Sequence, residues 1–262
     1  MRIDRADDGG ERPDAAAAPE VRGAGAAPDA EPIRAAAEPG GTSQGDGQGD
    51  DASAARVARN LDYRATVAAA NRAYAIDQGC ARVQEIEEKT VTPAMRRIEA
   101  EDPGRHLVGL EHRLKGRERI EEKVTHDVQK KGISAEQAFA DMKDAIRFTF
   151  QYAEDKYTTG VQTDAQRLKD AGIEFVDSRN TWSSEQYKGI NSWWREDDSG
   201  QLFEIQFHTQ ASFDAKQETH GAYERLRTLP EDSGEVRDLR AYQREVNAKI
   251  PIPPGAPDIV IT

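Results

Sequence analysis

Two blocks of this chain hold the residue types that handle a polyphosphate. Residues 113–123 read Arg-Leu-Lys-Gly-Arg-Glu-Arg-Ile-Glu-Glu-Lys, and residues 204–209 read Glu-Ile-Gln-Phe-His-Thr, ahead of a helical stretch with His220 and Tyr223. A cation within ~4 Å of a phosphate contributes about 4 kcal/mol at an effective dielectric of ~20, before desolvation. A carboxylate fixed on a strand can accept the proton of an attacking hydroxyl, and oxygen ligands of this kind suit magnesium. Phosphoryl-type transfer needs mainly such positioning and charge neutralisation. That chemistry is therefore the leading expectation.

Periodicity indicates the elements that must position these residues. Residues 106–115 alternate, with Val108, Leu110 and Leu114 on one face and Glu111, Arg113 and Lys115 on the other, which predicts a strand. After Gly116, Ile120, Val124 and Val128 recur every four residues, predicting a helix that carries Arg119 and Lys123 on an adjacent face. Arg113, Lys115, Arg119 and Lys123 are thus expected to converge where strand passes into helix. Ser134 and Gln137 predict a capping box for a short helix leading into Asp144. Ile146, Phe148 and Phe150 predict a second strand containing Arg147, followed by a helix over 155–171 closed by Gly172 and a third strand over 173–177. A hairpin is expected from 189–195 and 202–208 around Asp197-Asp198-Ser199-Gly200. On its second strand Phe203, Ile205 and Phe207 are assigned to the core, and Glu204, Gln206 and His208 to the outward face. Helices are expected over 212–226 and 235–249.

The flanks are of other kinds. Residues 1–56 are rich in Ala, Gly, Pro and acids, with twelve Asp plus Glu against six Arg, and predict a disordered acidic tail. Residues 57–104 predict N-terminal helices, interrupted near Gly79 and restarted by Thr92 as N-cap with Pro93 in the first turn. Residues 105–250 form the expected catalytic domain, and the proline-rich residues 251–262 an extended tail. With 262 residues, 37% hydrophobic, the chain suffices for one core. A net charge of −12 argues against bulk nucleic acid or an anionic membrane as partner, yet charges beyond a Debye length of ~8 Å fade, so a local cationic cluster can still hold phosphate. The single cysteine, Cys80, excludes an internal disulfide and reads as a small packed residue of a helix. The absence of an apolar leader or membrane-length stretch makes the cytoplasm the default compartment, although signal-independent secretion leaves no mark of this kind.

Over residues 108–227 these blocks resemble the synthetase domain of the RelA/SpoT family, which transfers pyrophosphate from ATP to the 3′-hydroxyl of a guanine nucleotide. The family pattern Arg-x-Lys-x-x-x-Ser-Ile-x-x-Lys is met by Arg113, Lys115, Ile120 and Lys123, with Arg119 where the family has serine. Its Glu-x-Gln-x-Arg-Thr block is met by Glu204, Gln206 and Thr209, with His208 in place of arginine. The resemblance implies an α+β fold, nucleotidyltransferase-like, with a mixed five-stranded sheet flanked by helices. It implies that Arg113, Lys115, Arg119, Lys123 and Arg147 bind the donor ATP, that Asp144 and Glu204 hold Mg2+, and that Glu204 also takes the proton of the 3′-hydroxyl. Tyr187, in Gln-Tyr-Lys-Gly-Ile-Asn, resembles the aromatic that stacks on the acceptor base, with Lys188, Asn191, Gln206 and His208 beside it. Asn191 stands where the family usually has histidine. The Asp144-x-x-Arg147 interval is shorter than the family's, and alternation places Asp144 on the face of Ile146 unless it lies at the strand's mouth, so Asp141 is the fallback. The wording Tyr-Lys-Gly-Ile-Asn and Phe-His-Thr is similar to the actinobacterial ATP:nucleotide 3′-pyrophosphokinases, which implies purine acceptors more broadly, adenine included.

Plainer readings stand beside these. Glu118, Glu121 and Glu122 can pair with the cations on a solvated helix face, and Glu204 alone reads as an exposed strand residue. Trp182, Trp193 and Trp194 read as packing residues. His126-Asp127 lacks further ligands and is assigned no metal, and His220, His106 and His112 read as ordinary hydrogen-bonding residues. Two alternative functions remain open: a delivered toxin of the same chemistry acting on adenine nucleotides or tRNA 3′ ends, and a non-catalytic nucleotide binder. Oligomeric state is not legible.

Overall fold

The computed structural model describes residues 49–262. Helix α1 (Gly49–Ile86) passes through a π-helical turn at Glu87–Val91 into α2 (Thr92–Ala100). Strand β1 (Arg105–Val108) leads through a 3-10 turn (Leu110–His112) to α3 (Arg117–Lys131) and α4 (Ala135–Ala140). Then come β2 (Arg147–Tyr152), α5 (Tyr157–Asp170), β3 (Ile173–Asn180), β4 (Ile190–Glu196), β5 (Leu202–Thr209), α6 (Gln210–Leu226) and α7 (Gly234–Asn247). The five strands form one mixed sheet in the order β1-β2-β5-β4-β3, in which β2 and β5 are parallel and the other neighbours antiparallel. The α+β class with a mixed five-stranded sheet is thus the observed architecture.

The sheet is covered on both faces. Phe150 and Phe207, paired in register across β2 and β5, stack with ring centroids 6.3 Å apart, and the Tyr157 hydroxyl donates to the Phe207 carbonyl at 2.9 Å, so α5 closes this side. On the opposite side α6 lies over Glu204, Gln206 and His208, which are respectively 6%, 4% and 0% exposed. The expected outward face of β5 is therefore a second interior. Its polar groups are tolerated because each finds partners, as burial demands.

Several boundaries differ from expectation for local reasons. Helix α1 begins at Gly49, inside the segment assigned by composition to the tail, whose earlier residues lie outside the described ones. It also runs unbroken through Gly79, where a Cβ would lie 2.6 Å from the Phe139 ring. Gly79 thus admits α4 rather than stopping the helix. Thr92 is the first residue of α2, not its cap, because the backbone enters helically from Val91, and its hydroxyl instead donates to Glu87. The strand expected over 106–115 stops at Val108, since Gly109 takes a left-handed φ of 64° and starts the 3-10 turn. Ser134 caps α4 by accepting from the Gln137 amide at 3.1 Å, but the Gln137 side chain turns to Asp141 instead of completing the box. The C-terminal residues do not trail away. Asn180 donates from Nδ2 to the carbonyls of Ala256 and Ile259 at 2.8 and 3.1 Å, and Ile259 and Ile261 are buried.

Replacing Gly79 by alanine should destabilise the fold by about 1–2 kcal/mol, since overpacking against Phe139 outweighs a helix-propensity gain of about 1 kcal/mol. Adding Phe139→Leu should recover part of the loss. Thermal unfolding of the two variants checks the sign.

Candidate active site

The site is assembled where three chain segments run side by side. The Lys115 amide donates to the Ala145 carbonyl at 2.9 Å, the Arg147 amide to the Arg113 carbonyl at 2.8 Å, and Leu114 bridges Ile146. This short antiparallel zipper sets Lys115 against the turn that carries Asp144. Glu204 then joins from the other side, its amide donating to the Ile146 carbonyl at 2.9 Å and its position in register with Arg147. Asp144 precedes β2 at the strand's mouth, so the alternation of β2 does not dictate its face. Asp141 is exposed and accepts from Gln137 at 3.0 Å, remote from this arrangement.

Asp144 is gripped by two cations from two elements, with Lys115 Nζ 2.6 Å from Oδ2 and Lys123 Nζ 2.7 Å from Oδ1. Burial raises its carboxyl, but the two ammonium groups outweigh that and bring it to about 2. The Glu204 carboxyl, in contrast, is raised. Burial is the main cause, Arg147 and the Gln206 hydrogen bond oppose it, and Asp144 reinforces it. Two nearby carboxylates are thereby pushed apart, the arrangement that separates a permanent anion from a proton acceptor. Glu204 Oε1 accepts from Gln206 Nε2 at 3.0 Å, while no protein donor meets Oε2 among the described residues.

Of the four cations expected to converge, Lys115 and Lys123 do so and Arg113 and Arg119 do not. Arg113 turns back to Glu87, with Nε 2.8 Å from Oε1, and also donates to the Leu110 carbonyl at 3.1 Å. Glu87 is wholly buried, and a buried carboxylate without a counterion is costly, which explains the diversion. Arg119 lies exposed on α3 and reaches Glu224 of α6 at 3.3 Å.

The expected acceptor residues also divide. The Tyr187 hydroxyl donates to Asn191 Oδ1 at 2.9 Å and lies 2.9 Å from His208 Nε2; the His208 Nδ1 is 2.9 Å from the Ser212 hydroxyl. With the tyrosine proton directed to Asn191, Nε2 carries the proton toward Tyr187 and Nδ1 accepts from Ser212. His208 is therefore not placed to touch a ligand. It is fully buried behind Tyr187, and Gly189, whose Cβ would come within 2.7 Å of the imidazole, makes room for it. Burial, helped by Lys216, holds its basicity well below the usual histidine range. Lys188 likewise points away, its ammonium donating to the carbonyls of Trp182 and Ser184 at 2.9 and 2.6 Å, where it fastens the loop before β4. Gln206 lies beside Glu204, and Tyr187 keeps partial exposure.

No protein-family model matches the chain, and no curated protein matches it. Solved structures similar to it include smu.1046c from Streptococcus mutans UA159, 20% identical over 63% of this chain and 86% of that one, with a TM-score of 0.45. A GTP pyrophosphokinase family protein from Streptococcus pneumoniae is 17% identical over 66% of this chain and 86% of its own, TM-score 0.45. Small alarmone synthetase 2 from Bacillus subtilis is 14% identical over 66% and 90% respectively, TM-score 0.46.

Lys216 escaped the sequence reading. It lies half-buried on α6, donates to Gln206 Oε1, and has its ammonium 5.4 Å from the Phe213 ring centroid. Burial, then the neighbouring Arg147, lower its amine to about 8 against the pull of Glu204. The available signal was its place on a helix stripe otherwise made of Ser212, Ala215, Thr219 and Ala222, all buried. Lys143, next to Asp144 in sequence, turns instead to Trp193, with its ammonium 5.0 Å from the ring centroid. The assigned absence of metal at His126-Asp127 concerns a pair in which Asp127 also meets Lys131 at 3.0 Å. Among the described residues no three His, Cys, Asp or Glu cluster as ligands, and no helix is long and apolar enough to cross a membrane.

His208 yields a pH prediction. Because its folded basicity is depressed, its contribution to stability is complete above the unfolded value of about 6.5 and is lost as pH falls below it. Lowering pH from 7.5 to 5.5 should cost about 1 kcal/mol in wild type through this residue, and His208→Gln should show that much less decline in urea unfolding.

Proposed function

We propose that this chain transfers the β,γ-pyrophosphoryl group of Mg-ATP to the 3′-hydroxyl of a purine nucleotide and releases AMP. The observation that carries the reading is the pairing of two unlike carboxylates, Asp144 held low by Lys115 and Lys123 and Glu204 raised by burial, at one junction of β2, β5 and the segment before α3. The family pattern in the sequence agrees with it.

The donor set suits magnesium. Mg2+ is ordinarily bound by one or two carboxylates with substrate phosphates and water completing its shell, and Asp144 with Glu204 supplies that number. Bound there, the ion would neutralise phosphate charge. Lys115 and Lys123 would exchange the Asp144 oxygens for donor phosphate oxygens, keeping a charge-assisted contact throughout. Arg147, in register with Glu204, would face the transferring group from β2. Glu204 would take the proton of the 3′-hydroxyl as that oxygen bonds to the β-phosphorus, and the bond from the β-phosphorus to the bridging oxygen of AMP breaks. Its raised carboxyl makes it a better proton acceptor than Asp144. Tyr187, with its hydroxyl tied to Asn191 and His208, would offer a ring of fixed orientation for the acceptor base.

Incubating the protein with Mg-ATP and a mixture of adenine and guanine nucleotides, then weighing the products by mass spectrometry, tests the reading. An acceptor heavier by one pyrophosphate, with AMP in equal amount, is expected; ATP turnover without either would overturn it. Glu204→Gln should lower kcat by about 10²–10⁴-fold without loss of thermal stability, since it removes a buried charge. Tyr187→Ala should raise the acceptor KM by about 5- to 150-fold, the range of ~1–3 kcal/mol for base stacking, while leaving the ATP KM within twofold. Steady-state kinetics with each substrate varied in turn separates the two.

A further inference from the structure

We infer that Lys216 is a positioning residue of this centre, which fixes the amide of Gln206 so that Glu204 presents one free oxygen to the acceptor hydroxyl. The inference rests on the reaction proposed above and deepens it.

Hydrogen-bond direction fixes the Gln206 amide. An ammonium group donates and never accepts, so the Gln206 atom facing Lys216 must be the carbonyl oxygen. The Thr149 hydroxyl points at the same oxygen from β2, at 3.5 Å. With Oε1 turned to these donors, Nε2 is directed at Glu204 Oε1, 3.0 Å away. An amide N–H favours an ionised acceptor there, so the chain Lys216 to Gln206 to Glu204 both selects the carboxylate form and consumes one of its two oxygens. Oε2 is what remains for chemistry. Without Lys216 only the long Thr149 contact remains, and a hydroxyl can accept as well as donate, so a rotated Gln206 would offer its oxygen to Glu204, which favours the protonated acid and abolishes a base.

The surroundings of Glu204 make this contribution separable. Arg147 faces it from β2, Asp144 from the turn before β2, Tyr187 from the loop before β4, Gln206 from its own strand and Lys216 from α6. Arg147 is a second cation on the same carboxylate, but no hydrogen bond joins it to Gln206 among the described residues. Among the described residues Lys216 is the one cation on Gln206 Oε1, and its contact is much shorter than that of the Thr149 hydroxyl. It also supplies a cation on this face of the sheet where His208, neutral and enclosed, supplies none.

Nitrogen-15 NMR of the full-length protein without nucleotide, read at the side-chain amide of Gln206, tests the inference directly. In wild type one of the two Gln206 N–H groups, donated to Glu204, should exchange slowly and stand apart from free-amide signals. Lys216→Met should lose that signature, and Lys216→Arg, which keeps a donor-only cation, should restore it. An unchanged Gln206 amide in Lys216→Met would sink the proposal. Lys216→Leu provides the same comparison should Lys216→Met not fold. With turnover established for wild type, Lys216→Met should lower kcat about tenfold at neutral pH and leave both KM values within twofold. A raised KM at constant kcat would instead make Lys216 a direct nucleotide ligand and overturn the positioning role. A wild type that forms no product would defeat the proposed reaction, while the nucleotide-free amide signals would still decide Lys216.

Discussion

The parallel pairing of β2 with β5 is the constraint on which the site depends. Neighbours in a parallel pair cannot be joined by a tight turn, so α5, β3 and β4 form the long excursion between them. Its result is that Arg147 and Glu204, far apart in sequence, lie in register at the same end of adjacent strands. The zipper from Arg113 to Lys115 extends the same edge by pairing with residues 145–147. One end of the sheet therefore gathers Lys115, Asp144 and Arg147 with Glu204 from a distant part of the chain. An antiparallel β5 would send Glu204 to the opposite end.

Charge inside this protein is tolerated only in compensated groups. Arg105 and Asp164, 1% and 0% exposed at the side chain, pair at 2.9 Å, and Asp164 also accepts from Tyr152 and Arg167 at 2.7 and 2.8 Å. Glu87 recruits Arg113, and Glu196 accepts from the Ser199 amide at 2.7 Å. Breaking one partner of such a buried pair typically costs about 3–5 kcal/mol. The diversion of Arg113 thus follows from a need of the scaffold, and it shows why a count of cations in sequence overestimates the cations at a site.

What was legible in the sequence was what repeats with a regular period. The alternation in β2 and β5 and the four-residue spacing in α3 located the elements, and the hairpin turn around Gly200 lies where its residues implied. Asp144 was left open by the sequence, since alternation put it on the face of Ile146 unless it lay at the strand's mouth, and only the pairing of 113–115 with 145–147 shows it before β2. What failed was anything decided by tertiary neighbours. Gly79 looked like a helix breaker because nothing in sequence announces Phe139 against it. The polar face of β5 looked solvent-exposed because alternation specifies which residues share a face and not what covers it. Lys188 and His208 sit within a convincing local motif, yet their side chains serve the loop and the tyrosine behind the site. Lys216 was overlooked for the reverse reason. A lysine reads as solvated by its type, and the stripe of small and polar residues that it shares with Ser212 and Thr219 is a weak sign of burial.

The resting arrangement also bears on how a highly charged donor would enter a protein that is acidic overall. Lys115 and Lys123 are partly desolvated against Asp144 before any ligand arrives, so part of the cost of removing water from them is met within the fold. In the proposed reaction a triphosphate with its metal would exchange partners: Lys115 and Lys123 would turn from carboxylate to phosphate, and Asp144 would be left to hold the metal. Each charge keeps an opposite neighbour at every stage. An empty cationic pocket would have to hold its like charges together unaided, and an exposed one would be screened within ~8 Å at physiological salt. Holding its cations on an internal anion that would itself ligate the metal of the proposed complex, the site would couple arrival of the metal to release of the lysines. Donor and metal should accordingly bind as one unit, because neither lysines nor carboxylate can change partners favourably alone.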